Sequence, residues 1–361
     1  MDRNKLNPVQ VSEFLDKVVA EGGEDFVYDE AKTSQAIAAQ VGLHSQLAIK
    51  VLTIFGGILA TIFFNAFLLL GGLNNSPAGM MVLGVLLIAG AIVGIKLADT
   101  TLAETACISF NIIGYMYFGF GFNSQSQNES ALCGIFLFFS LAQVMFASRS
   151  IFIFIAVLII NGSLAGLILI NLNITLLHIF IGVLAVALTS LSVNEPFFIS
   201  KNIFTNGAFR PVRMGLVLSL IAAFLFIQHY QRFEITINHV WVTSVFLLVC
   251  NFYSVFKILQ IVGLTTSNRQ WLVYGALGIM LAPTFFTPPI AGAILIMLLG
   301  FYLGHTTSFG VGVVALIYFV TWFYYDLQLT LLVKSVILMI TGGLFIAGYG
   351  GLQKITEHEA V

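Results

Sequence analysis

Charge is what this chain has least of. Asp, Glu, Lys and Arg make up 9% of its 361 residues, against roughly 25% in a soluble domain. Hydrophobic residues reach 59% and mean hydropathy is +1.00, which excludes an ordinary soluble fold and assigns the chain to a lipid bilayer. Cysteine is nearly absent too. Cys107, Cys133 and Cys250 lie in or beside apolar runs without paired spacing, so neither a disulfide framework nor a thiolate zinc site is expected. No Gly-rich phosphate loop, His-Glu-x-x-His run or nucleophile elbow occurs. A non-enzymatic role follows, with no catalytic residue, cofactor or metal. His229, Glu234 and His239 share one short stretch, but their spacing matches no strong metal pattern. The net charge of −1, with no basic cluster beyond Arg210 and Arg213, argues against nucleic acid as a partner.

What the sequence does contain is long apolar runs, each able to cross a hydrocarbon core about 30 Å thick. None alternates as a barrel strand must, so the expected fold class is all-α, a polytopic membrane protein. About twelve spans are predicted, at roughly 48–70, 77–95, 102–122, 130–147, 150–170, 173–192, 212–230, 238–258, 270–286, 288–303, 306–325 and 330–350. Positive residues stay on the cytoplasmic side. Counted over alternate connections, Arg3, Lys5, Lys17, Lys32, Lys50, Lys96, Arg149, Lys201, Arg210, Arg213, Lys257, Arg269 and Lys354 share the face of the N-terminus. Only Arg232 falls on the other face, and Lys334 lies inside a span. Both termini are therefore expected in the cytoplasm, with 351–361 as a cytoplasmic tail. The long connection 193–211 divides the 48–350 body into six and six spans, although no sequence repeat supports two related halves.

Residues 1–47 are polar and hold 8 of the 16 acidic residues, which is unlike a cleavable signal peptide. They are expected to form a cytoplasmic helical hairpin. Asn7 and Pro8 start a helix, Val11, Phe14, Leu15 and Val18 line one stripe of it, and Gly22-Gly23 ends it.

Polar residues inside spans are the first functional candidates, because hydrocarbon penalises them. Glu104 heads the third span, but Thr101 and Glu104 have capping-box spacing, and no other carboxylate sits at the middle of a span. Proton coupling through a midplane acid is therefore not expected. Asn111, Asn161 and Asn251 do lie mid-span, and such amides either bridge helices or line a polar path. Gly162 and Gly166 beside Asn161 have the spacing of close helix contact. Pro283, Pro288 and Pro289 remove three amide donors where two short spans meet. A tight external turn is the first expectation there. The alternative is a pair of broken half-helices whose freed backbone lines a cavity.

The last candidate is "WFYYDLQLTLLVKS", Trp322 to Ser335. Its rings, Tyr324 and Tyr325 among them, suit a membrane interface. Asp326 stands just before a helix that Thr330 can cap, and Lys334 lies one turn inside it, facing the positive end of the helix dipole. Asp326 and Lys334 are expected either to form an ionic clasp or to dock a ligand or partner on the external face. With the "LLGF" run before it and a Gly pair after it, this stretch resembles the bacterial membrane family known as domain of unknown function 4401. The resemblance implies a polytopic inner-membrane protein and a small membrane partner carrying a Gly-Asp-Tyr type domain. It implies no activity. Two roles follow: a non-enzymatic subunit of a membrane complex, or a permease or channel-like transporter of a small solute.

Overall fold

The structure is a computed structural model that describes residues 53–68, 70–72, 75–98, 100–146, 149–171, 173–200, 208–229, 239–262, 274–275, 277–278, 281–326 and 339. Its helices are α1 (Thr53–Leu68), α2 (Pro77–Leu97), α3 (Thr101–Ser126), α4 (Glu129–Phe146), α5 (Ser150–Ile170) and α6 (Ile174–Val193). They continue with the short α7 (Glu195–Ser200), α8 (Phe209–His229), α9 (Val240–Val262), α10 (Pro288–Tyr302) and α11 (Thr306–Asp326). A 3₁₀ turn, Ala282–Phe286, precedes α10. No strand occurs among the described residues. Eight of these helices are long and apolar enough to cross a membrane, and α1 and α10 are shorter apolar helices. The chain is a multi-pass membrane protein. The N-terminal hairpin, residues 270–273, 276, 279 and 280 of the predicted 270–286 span, nearly all of the 330–350 span and the tail lie outside the described residues.

Helices form here because backbone N–H and C=O groups find no water in hydrocarbon and must pair locally. Their ends carry ordinary caps. Ser76 accepts from Gly79 N ahead of Pro77, Asn173 accepts from Leu176 N, and Thr100 accepts from Ala103 N. The last corrects the expected capping box. With Thr100 as the cap, Glu104 is one residue too far along to bond back, and its Oε1 instead meets Arg149 at 3.2 Å.

Contacts divide the chain into two compact units, Met1–Leu132 with Phe146–Phe152, and Cys133–Met145 with Ile153–Val361. In the first, α2 and α3 touch backbone to backbone. A methyl on Gly84 would lie 2.6 Å from Phe118 N and 2.7 Å from Gly114 O, so only glycine lets the helices approach this closely. Helix α1 joins α3 through Gly57 against Thr105, Phe64 edge-on to Phe110 at 5.6 Å, and Tyr117 O–H donating to Asn65 Oδ1.

In the second unit α6, α8, α9, α10 and α11 surround a core that includes Leu188, Leu220, Phe224, Leu247, Leu295 and Phe319. Here α10 and α11 meet backbone to backbone at Gly300 and Gly312, and rings fill the space beside two other glycines. Phe224 occupies the space beside Gly292, and Phe246 that beside Gly182. Helix α10 lies at the centre, with Ala291, Ala293, Leu295 and Ile296 at most 1% exposed. Gly166 touches Cys133, as close packing predicts, but Gly162 faces open space, which corrects half of that expected pair.

Candidate functional site

Between Leu281 and Pro289 the chain leaves α-helix for the 3₁₀ turn Ala282–Phe286 and enters α10. Pro288 and Pro289 occupy the first helical positions of α10, where their missing N–H groups leave no orphan donor. Thr284 Oγ1 donates to Leu281 O at 2.7 Å, and Ser244 Oγ of α9 donates to Phe285 O at 2.6 Å. A side chain from a neighbouring helix thus takes up a carbonyl that the broken helix frees. Leu281, Thr284, Pro288 and Pro289 are buried, while Ala282 is exposed.

The level of this turn along α9 follows from Ser244, in the second turn of α9 and about 10 Å before its midpoint, and from Asn251. Asn251 stands at the middle of the 23-residue α9, is fully buried, and its Nδ2 donates to Leu247 O at 2.9 Å and to Ala291 O at 3.1 Å. Ala291 belongs to the first turn of α10, so α10 begins within about a turn of the level of the α9 midpoint. Its 15 residues reach about 22 Å, short of the roughly 30 Å core. Asn251 Oδ1 is buried and has no hydrogen-bond partner among the described residues. One turn or two toward the start of α9, Thr243 and His178 of α6 meet through Nδ1 and Oγ1 at 2.7 Å, both fully buried. Thr243 Oγ1 also approaches His178 O at 3.4 Å. If it donates there, Nδ1 carries the imidazole proton. Ser244 and Asn251 of α9 thus face the 3₁₀ turn and the start of α10, while Thr243 of the same helix meets His178 of α6. The arrangement can bind hydrogen-bonding groups but offers no activated nucleophile.

The other sequence candidates are placed apart from it. Asn161 donates from Nδ2 to Ser219 Oγ on α8 at 3.0 Å, and Asn111 is fully buried in α3 of the first unit. Tyr324 and Tyr325 close α11 with their rings edge-on at 5.6 Å, Tyr325 being 75% exposed. Asp326 is the last residue of α11, but its side chain and all of Lys334 lie outside the described residues. His229 and His239 have separate neighbours. His229 lies on Trp322 at 4.3 Å and within 3.4 Å of the Tyr318 hydroxyl, whereas His239 faces Thr175. No group of three metal-ligating side chains occurs among the described residues.

The matching family model is described as Domain of unknown function (DUF4401) and covers residues 46–355. The chain belongs to this family. No curated protein and no solved structure matches it. Every described residue of this DUF4401 chain falls within the matched segment, the interrupted helix included.

Sequence reasoning missed Ser244, Thr243, Ser219 and the pair Arg213–Glu195. Hydroxyls are common in apolar spans and usually bond back to their own helix, as Thr61, Thr105 and Thr189 do here, so nothing in the sequence singles out those that cross. Arg213, at the start of α8, is 3% exposed, reaches Glu195 Oε2 at 3.4 Å and stands 5.7 Å from the Phe209 ring. His305, in the loop before α11, is held below its ordinary pKa of 6.5 by burial and then by Arg213, with Glu195 opposing and Arg210 adding to the shift.

Proposed function

We propose that this protein is a permease-like carrier of the bacterial inner membrane that binds a small polar solute beside the interruption ahead of α10. About twelve spans and cytoplasmic termini belong to the same proposal. The observation that carries it is the bond from Asn251, at mid-depth of α9, to the first turn of α10. Helix breaks at membrane depth are tolerated where protein or a polar cavity satisfies the backbone, and transporters place substrate sites at such breaks. Ser244, Thr284 and Asn251 supply that satisfaction, and Asn251 Oδ1 is left to accept from a donor on the solute. The role is non-enzymatic and needs no cofactor.

The test is solute flux into vesicles holding only the purified chain. Flux is expected in the native protein and is expected to disappear in Asn251→Leu and Ser244→Ala at unchanged folded yield. Reporter fusions after Asn75, Asn206, Asp326 and the C-terminus check the orientation, the C-terminal reporter being expected inside.

A second role, a complex subunit bound to a small membrane protein, is favoured by a different observation. Phe55, Phe63 and Phe67 lie along one face of α1 and are 62%, 65% and 70% exposed, a ridge on which a partner helix can seat. A stoichiometric small protein recovered from native membranes, together with no flux from the chain alone, would favour it.

A further inference from the structure

A cleft of about 330 Å³ opens between α5, α6 and α8, away from the interrupted helix and independent of it. Its lining is almost wholly apolar, and small residues make the space: Gly162 and Ala165 on α5, Ala222 and Ala223 on α8. No heavy atom lies within 4 Å of where a Gly162 methyl would stand, and Gly162 is exposed. On α5 the cleft runs from Leu158 to Leu169, about 16 Å at 1.5 Å per residue. Half of a roughly 30 Å hydrocarbon core is about 15 Å. The cleft is thus one leaflet deep. Volume divided by length leaves a cross-section of about 20 Å², the section of one extended hydrocarbon chain.

We propose that this cleft is a binding site for a single acyl chain of a membrane lipid. Apolar cavities stay dry and take apolar ligands, and pockets that hold small ligands are mostly apolar with few polar groups. Here the polar groups are Asn161 and Ser219, bonded to each other at 3.0 Å. They stand toward the deep end of the cleft and limit the length of chain it accepts. A chain entering past the exposed Gly162 would come sideways from the bilayer without crossing water.

The test uses the full chain in phosphatidylcholine vesicles doped with a phospholipid that carries a diazirine at the end of one acyl chain. Photolabel should concentrate on 158–169 and 219–226, above the level on the lipid-facing surface of α11. Gly162→Leu places a side chain in the open space and should lower that labelling about tenfold, a change of about 1.4 kcal/mol in binding. Gly162→Ala should fall between the two, and serves if the larger variant folds poorly. Equal labelling of α11 and the cleft would overturn the proposal. So would labelling unchanged by either variant in folded protein, or a stoichiometric protein seated on the cleft and displaced by Gly162→Leu.

Discussion

The two units each hold an ion pair, and the pairs are built in opposite ways. Glu104 and Arg149 in the first unit meet at 3.2 Å with side chains 38% and 52% exposed. Arg213 and Glu195 in the second meet at 3.4 Å with side chains 4% and 24% exposed. An exposed pair gains little because water already solvates both partners. A buried one is costly to break, because removing one partner leaves a charge without compensation. The glycines do not divide the same way, because Gly300 and Gly312 of the second unit also face backbone, at Phe309 and Met297. Gly84 in the first unit faces backbone, which cannot yield, whereas Gly292 in the second faces the Phe224 ring. The first unit is held by close approach of α2 and α3. The second combines close backbone approach of α10 and α11, at Gly300 and Gly312, with ring filling beside Gly182 and Gly292.

The largest expected effect tests the ion pairs. Glu195→Gln should destabilise the detergent-purified protein by about 3 kcal/mol, and adding Arg213→Met should recover much of that loss. Glu104→Gln should cost less than about 1 kcal/mol. Thermal melts of the three variants and the parent measure the contrast, and equal losses in the two units would end it.

Next come the glycines. Gly84→Ala should cost about 1–3 kcal/mol through forced separation of α2 and α3, with no single compensating side chain. Gly292→Ala should cost a similar amount, yet Phe224→Leu should rescue part of it by removing the obstructing ring. Rescue of both glycine changes by neighbouring side-chain truncations would erase the distinction between backbone and ring contact.

Asn161→Leu and Asn251→Leu should each lower stability by only about 0.6 kcal/mol, the average for intramembrane hydrogen bonds. Both melts should therefore lie close to the parent. Loss of flux is expected for Asn251→Leu alone, since only Asn251 stands at the interruption.

The smallest effect concerns pH. Because the folded-state pKa of His305 is depressed below 6.5, its neutral form is favoured in the fold. Its contribution to stability is complete above about pH 6.5 and declines as pH falls through the lower, folded value. His305→Gln should flatten the dependence of melting temperature on pH in that window.

Hydropathy alone located ten of the predicted spans as helices within a few residues of their observed bounds; α2 starts at Pro77 and α5 at Ser150, as expected. In hydrocarbon the backbone must satisfy itself within each segment, so a long apolar run determines its own helix. The proline cluster was legible as a place where regular α-helix stops, as the 3₁₀ turn Ala282–Phe286 shows, since a missing N–H is a property of one residue. Partners were not legible. These helices are apolar nearly all round, and no stripe marks the inward face as it does in a soluble protein. Gly162 and Gly166 have equal claims in sequence, yet one meets Cys133 and the other opens onto a cleft. Asn161 and Asn251 are both mid-span amides, but only the folded chain sets one against Ser219 and the other against the start of α10. Which acceptor an amide reaches depends on helices 40 to 58 residues away, and that choice belongs to side-chain packing between helices, which no local pattern encodes.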